Sequence, residues 1–144
     1  MKDIAAELDE IVAASGAALR ALDEEAAARR SGPDRWSRKE VLGHLIDSAA
    51  NNHQRFVRLQ LETTLALPGY TQNDWVRVQG YQERPFRDLV DLWIAYNRHL
   101  AHVLRLADPA AAGHVWRAPG KDLDFAFLMA DYLRHLRHHL GQIL

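Results

Sequence analysis

Apolar residues recur every three or four positions along most of this chain. Ile4, Leu8, Ile11, Val12, Leu19 and Leu22 keep that spacing across residues 3–30, and the alanines among them favour helix intrinsically, so the pattern predicts a first helix there. Ser31-Gly32-Pro33-Asp34 interrupts it, because glycine suits a C-terminal cap and proline cannot continue the hydrogen-bond ladder. Trp36-Ser37-Arg38-Lys39-Glu40-Val41 then reads as a capping box, with the Ser37 hydroxyl placed to accept from the Glu40 amide and the Glu40 carboxylate to reach back. A second helix is predicted from Arg38 to near Glu62, burying Val41, Leu45, Ala49, Phe56 and Leu59.

Thr63 to Arg84 loses the periodicity. Leu67-Pro68-Gly69-Tyr70 is a turn signal, and Asn73 or Asp74 can cap a short helix through Trp75 and Val78. From Pro85, acceptable in a first helical turn, the apolar positions Phe86, Leu89, Val90, Trp93, Leu100, Val103 and Leu104 resume, with Asn97 in register, and predict a third helix ended by Asp108-Pro109. His99 and His102 fall outside its apolar arc and are expected in solvent. Residues 109–121, with His114, Trp116, Arg117, Pro119 and Gly120, read as a second loop. Asp122 or Asp124 can cap a fourth helix that carries Phe125, Leu128, Met129, Tyr132, Leu136, Leu140 and Ile143 on one broad face. Four long amphipathic helices without a convincing strand predict an all-α single domain over residues 1–144, a four-helix bundle with long connections between helices two and three and helices three and four. Chain order alone does not choose between up-down winding and a crossover.

Composition narrows the chemistry. A 48% hydrophobic and 26% charged chain is ordinary for a globular protein rather than a disordered one. The formal net charge of −1 gives no overall basic field, so no nucleic-acid partner is expected. Without cysteine there is no disulfide, thiolate nucleophile or thiolate metal site, and any metal must be held by nitrogen and oxygen. The charged amphipathic start and the lack of an apolar run of about 18 residues argue against a secretory signal or membrane span, so the expected location is cytoplasmic.

The candidate chemistry lies in the last helix. His135 and His139 are four residues apart, so on a helix they point within about 40° of each other, one turn apart, and two imidazoles so placed can grip one ion. An open metal site needs about three protein ligands, so a third must come from elsewhere. His44 sits at the junction of polar and apolar strips on the second helix, flanked within about 40° by Ser48, Asn51 and Arg55. His53 points to the other side, although helical angles do not exclude it as the third ligand. In a chain with eight histidines, this spacing also fits rings that only satisfy polar neighbours at a bundle end. No Ser/His/Asp triad, phosphate-binding glycine loop, di-iron Glu-x-x-His pair or His-Glu-x-x-His competes with the site.

Trp36-Ser37-Arg38-Lys39-Glu40-Val41-Leu42-Gly43-His44-Leu45-Ile46-Asp47-Ser48, followed by His135-x-x-x-His139-x-x-Gln142, resembles the DinB-like family of metal-binding four-helix bundles, and in particular its YfiT-type metal-dependent hydrolases. The resemblance spans nearly the whole chain, and its specific part is the two histidine segments. It implies one divalent metal ion per chain, zinc, nickel or iron, held by His44, His135 and His139, with His53 and His138 outside the ligand set. It implies an enzyme of hydrolase or low-molecular-weight thiol transferase type acting on a small-molecule substrate; a non-catalytic metal-binding bundle with a structural or stress-response role is the alternative. Asp47 and Asp131 are near enough to be acceptors for the outer nitrogens of the ligand rings. Asn51, Arg55 and Gln142 are candidates for binding substrate, each also readable as a plain helix-surface residue. A homodimer is expected only on the general ground that bundles pair along exposed apolar helix faces.

Overall fold

The computed structural model describes residues 1–118 and 120–144; Pro119, part of the expected second loop, lies outside the described residues. The elements in chain order are α1 (Lys2–Arg20), α2 (Glu24–Ala28), α3 (Arg38–Arg58), β1 (Thr64–Leu65), α4 (Gln72–Gln79), α5 (Phe86–Leu106), β2 (Val115–Ala118), β3 (Lys121–Asp124) and α6 (Phe125–Ile143), with short 3-10 turns at Tyr81–Glu83 and Pro109–Gly113. The four long helices, α1, α3, α5 and α6, make the bundle.

The first expected helix is divided. It stops at Arg20, and Asp23 starts α2 by accepting from the Ala26 amide at 2.7 Å, a local capping bond that competes with continuation of α1. The capping box at Ser37 is present: Glu40 N–H donates to Ser37 Oγ at 3.2 Å and Ser37 N–H to Glu40 Oε2 at 2.8 Å. Arg30 pairs with the same carboxylate. The N-cap of α4 is Thr71, slightly ahead of the predicted Asn73 or Asp74, and Asp124 rather than Asp122 caps α6 through the Phe127 amide at 2.7 Å.

Strands are the second correction. β2 and β3 form an antiparallel hairpin with Val115 opposite Asp124 and Ala118 opposite Lys121, and β1 joins β2 in parallel through Thr64 and Leu65. These strands are too short, and β3 too polar, to show a two-residue hydrophobic period.

Helix α1 packs on α5, α5 on α3, α3 on α6 and α6 on α1, so α1 and α3, consecutive in the bundle, lie across its diagonal. Arg20–Asp91 at 2.6 Å and Arg105–Asp9 fix α1 and α5 antiparallel. Phe56–Phe125 and His44–His139, with ring centroids 5.9 and 4.8 Å apart, fix α3 and α6 antiparallel. α3 and α5 run the same way, since Lys39 Nζ donates to the Gln82 carbonyl just ahead of α5 and His53 meets Tyr96 farther along. The chain therefore has to return along the bundle between them, which is what residues 59–85 do. Across the centre Tyr132 O–H donates to Asn97 Oδ1 at 2.5 Å, and Asn97 Nδ2 donates to the Trp93 carbonyl, so this buried polar pair is satisfied. Among the described residues no helix is long and apolar enough to cross a membrane.

Candidate metal centre

Helix α3 is unlike an ordinary surface helix in its first half: residues 39–49 are buried on every side, between α5, α6 and the segments that cap the bundle. His44 is consequently only 1% exposed. The α3–α6 packing carries it to the pair on the last helix. His44, His135 and His139 each offer a ring nitrogen, and the three atoms lie within 4.8 Å of one another. His44 Nε2 and His135 Nε2 are 3.0 Å apart, close to the separation of roughly 3.0–3.4 Å expected of two nitrogens sharing an ion at about 2.1 Å.

The outer nitrogens show which lone pairs are free. His139 Nδ1 donates to Gln142 Oε1 at 2.9 Å, and His135 Nδ1 faces Ser48 Oγ at 3.4 Å. The Gln142 contact puts the proton on His139 Nδ1, and the Ser48 hydroxyl can accept one from His135 Nδ1; rings in that tautomer offer Nε2 lone pairs, as a metal ligand must. His44 Nδ1 is buried without a partner. Trp36 lies against His44 with centroids 5.2 Å apart and screens it from one side.

Burial sets the electrostatics. It lowers His44 to about 3 and His135 to about 4, with repulsion from the neighbouring rings adding to it, and Asp131 pulling His135 slightly back. His139 is lowered as well, by burial first, against the Gln142 hydrogen bond. All three rings are neutral at physiological pH and open to a cation. The donor set therefore fits a divalent ion held by nitrogen, as a chain without thiols demands.

A DinB superfamily profile matches residues 2–143. The chain belongs to the DinB superfamily. No match was found among curated proteins. Among solved structures, YfiT from Bacillus subtilis, described as a probable metal-dependent hydrolase with an unusual four-helix bundle topology, aligns with a TM-score of 0.88. The identity is 20%, over 99% of this chain and 83% of that one, so the likeness establishes the fold. In this chain the placement of consecutive α1 and α3 across the diagonal departs from a simple up-down bundle.

The remaining expected site residues of this DinB-superfamily chain separate. Gln142 belongs to the cluster through His139, whose Nδ1 donates to its Oε1. Asp47 is buried and does not reach a histidine: its Oδ1 accepts from Tyr81 O–H at 2.7 Å and from Gln79, while Oδ2 has no partner. Burial raises its pKa, with both hydrogen bonds opposing. Asp131 forms an ion pair with Arg134 and touches His135 only through its field. Asn51 donates to the Asp47 carbonyl. Arg55 is buried, its guanidinium 3.8 Å from the centroid of the Trp116 ring and donating to Asn52 Oδ1, which leaves Nε without a partner. His53 is occupied by Tyr96 O–H at 3.2 Å and by the His99 ring, and His138 is exposed beside Gln142.

Sequence reasoning missed Tyr81 as the partner of Asp47. A ring placed on Gly43 is invisible to helical periodicity, because the contact comes from a 3-10 turn 38 positions away. Ser48 was visible as part of the polar strip beside His44, and the structure gives it the contact with His135 that the carboxylates were expected to make.

Proposed function

We propose that this protein is a metal-dependent enzyme of hydrolase type acting on a small molecule, with one divalent ion held by His44, His135 and His139. The observation that carries the proposal is the approach of three neutral ring nitrogens, drawn from two helices, to within 4.8 Å of one another. His44, His135 and His139 would hold a zinc, nickel or iron ion, which would supply Lewis-acid chemistry: polarisation of a carbonyl, or a lowered pKa for a bound water or thiol.

The chain's own groups supply the rest. Gln142 Oε1 accepts from His139 Nδ1, which leaves that ring's Nε2 lone pair free, and the Ser48 hydroxyl is placed to accept from His135 Nδ1 in the same way. Trp36 and the buried wall of α3 keep water from His44. Tyr81 and Gln79 pin Asp47, which stiffens α3 one turn beyond His44. The same site would accept a low-molecular-weight thiol, and thiol transfer is the reaction that a substrate screen must separate from hydrolysis.

Metal analysis of the purified protein against a His135→Ala/His139→Ala variant tests the site: about one equivalent of divalent ion is expected in the parent and little in the variant. Equal metal content in the two refutes the ligand set. Turnover of ester, amide and thiol–electrophile substrates by the loaded parent, absent in His44→Ala, separates an enzyme from a bundle that only binds metal.

A further inference from the structure

Beside the histidine cluster, a cavity of about 670 Å³ opens between the α2–α3 connection, the start of α4 and the end of α6. Trp36 and Gln142 line it, and these are the two residues already in contact with His44 and His139. The cavity and the cluster are therefore separated by one side chain on each side. Among its charged lining residues cations predominate: Arg29, Arg35 and Arg38 against Asp34, with neutral polar groups from Ser31, Gln72 and Asn73.

The three arginines are not equivalent. Arg29 is neutralised by Glu25 at 2.9 Å. Nearby Arg30 and the buried Lys39 are likewise spoken for, by Glu40 and Glu24. Arg35 and Arg38 form no ion pair with any described residue; Arg38 makes only a long 3.5 Å contact to the Ala26 carbonyl. Arg38 is the first residue of α3, where the helix dipole disfavours positive charge, and Arg35 lies three residues ahead of it. Two guanidinium groups without carboxylate partners supply the bidentate donors that carboxylates and phosphates prefer.

The geometry points to this cavity as the binding site for a small anionic molecule, its carboxylate or phosphate on Arg35 and Arg38, a flat apolar portion against Trp36, and its other end directed at the histidine cluster. The direction of the reacting end rests on the proposed metal site; the anion binding does not.

The test titrates benzoate, and its uncharged analogue benzamide, into the metal-loaded protein and follows amide, indole and guanidinium resonances by NMR. Benzoate is expected to saturate with shifts centred on Trp36, Arg35 and Arg38, and benzamide to bind at least about tenfold more weakly. Arg35→Gln/Arg38→Gln should abolish that preference with the fold retained, since neither side chain forms an ion pair with a described residue and the Arg38 charge opposes the helix dipole. The assignment is overturned if benzamide binds as well as benzoate, if the shifts centre elsewhere, or if the double variant binds benzoate like the parent. His135→Ala/His139→Ala separates the two readings. Benzoate binding retained there supports the cavity whatever the metal content, and binding lost there places benzoate on the metal and overturns the cavity assignment.

Discussion

Proton competition at the three histidines gives a quantitative check on the site. A histidine holds a metal only as the neutral imidazole, so affinity falls as the pH drops through the pKa of each ligand ring. Three ordinary imidazoles with pKa near 6.5 would each lose roughly eightfold between about pH 7 and about pH 5.5, or roughly 600-fold together. These rings are not ordinary. Burial, with the repulsion of neighbouring rings, holds His44 at about 3 and His135 at about 4, so neither takes up a proton over that interval. His139 is lowered too, which keeps its share below the single-ring factor. The expected loss is therefore less than roughly eightfold in all. Equilibrium dialysis against zinc or nickel at the two pH values, with protein-bound metal measured directly, reads that ratio. A fall of a hundredfold or more would mean that the rings titrate as if exposed, and the buried neutral cluster would have to be abandoned.

In the metal-free protein the same shifts should appear as acid sensitivity. Unfolded histidines protonate near 6.5 whereas His44 and His135 resist until about 4 or below, so stability is full above pH 6.5 and declines as pH falls, by less than about 1.4 kcal/mol per pH unit for each ring; denaturant titrations between pH 7 and pH 4.5 measure the slope, and a flat profile would contradict the burial. Gly43→Ala should cost about 1–3 kcal/mol or more in urea unfolding, since its Cβ would lie 2.1 Å from Tyr81 Cδ2 and force away the ring that holds Asp47. Gly16→Ala should cost much less, because its Cβ meets the flexible end of Ile94 at 2.9 Å and the helix gains about 1 kcal/mol of propensity; equal losses at the two glycines would refute the distinction. Ser48→Ala removes the partner of His135 Nδ1 and should weaken metal binding about tenfold with the helical circular dichroism unchanged.

What the chain reveals before folding is what lies in local periodicity and caps. Ser37 and Glu40 announce the start of α3, and the spacing of Phe86 to Leu104 defines α5, because each depends on residues within a turn or two. The division at Asp23 is less legible, since the alanines on both sides of it favour helix equally. Strand pairing such as Trp116 opposite Leu123 and beside Leu65 depends on partners that no window contains, and two-residue β1 carries no alternation at all. The site divides in the same way. His135 and His139 declare themselves as a pair, whereas His44 is distinguished from His53 by packing: one lies inside the α3–α6 seam and the other faces Tyr96 on α5. Asp47 was a reasonable acceptor for a ring nitrogen by sequence distance, and its engagement by Tyr81 and Gln79 follows from the return connection, whose path periodicity does not record.

The seam between α3 and α6 joins residues 91 positions apart, and both intervening connections must be in place before it can close. Closing such distant segments costs chain entropy that no local contact repays early, so the individual helices can appear well before the corner where they meet. An ion bound there would report that assembly is finished, and a nascent chain released before Asp124 carries one donor of the three.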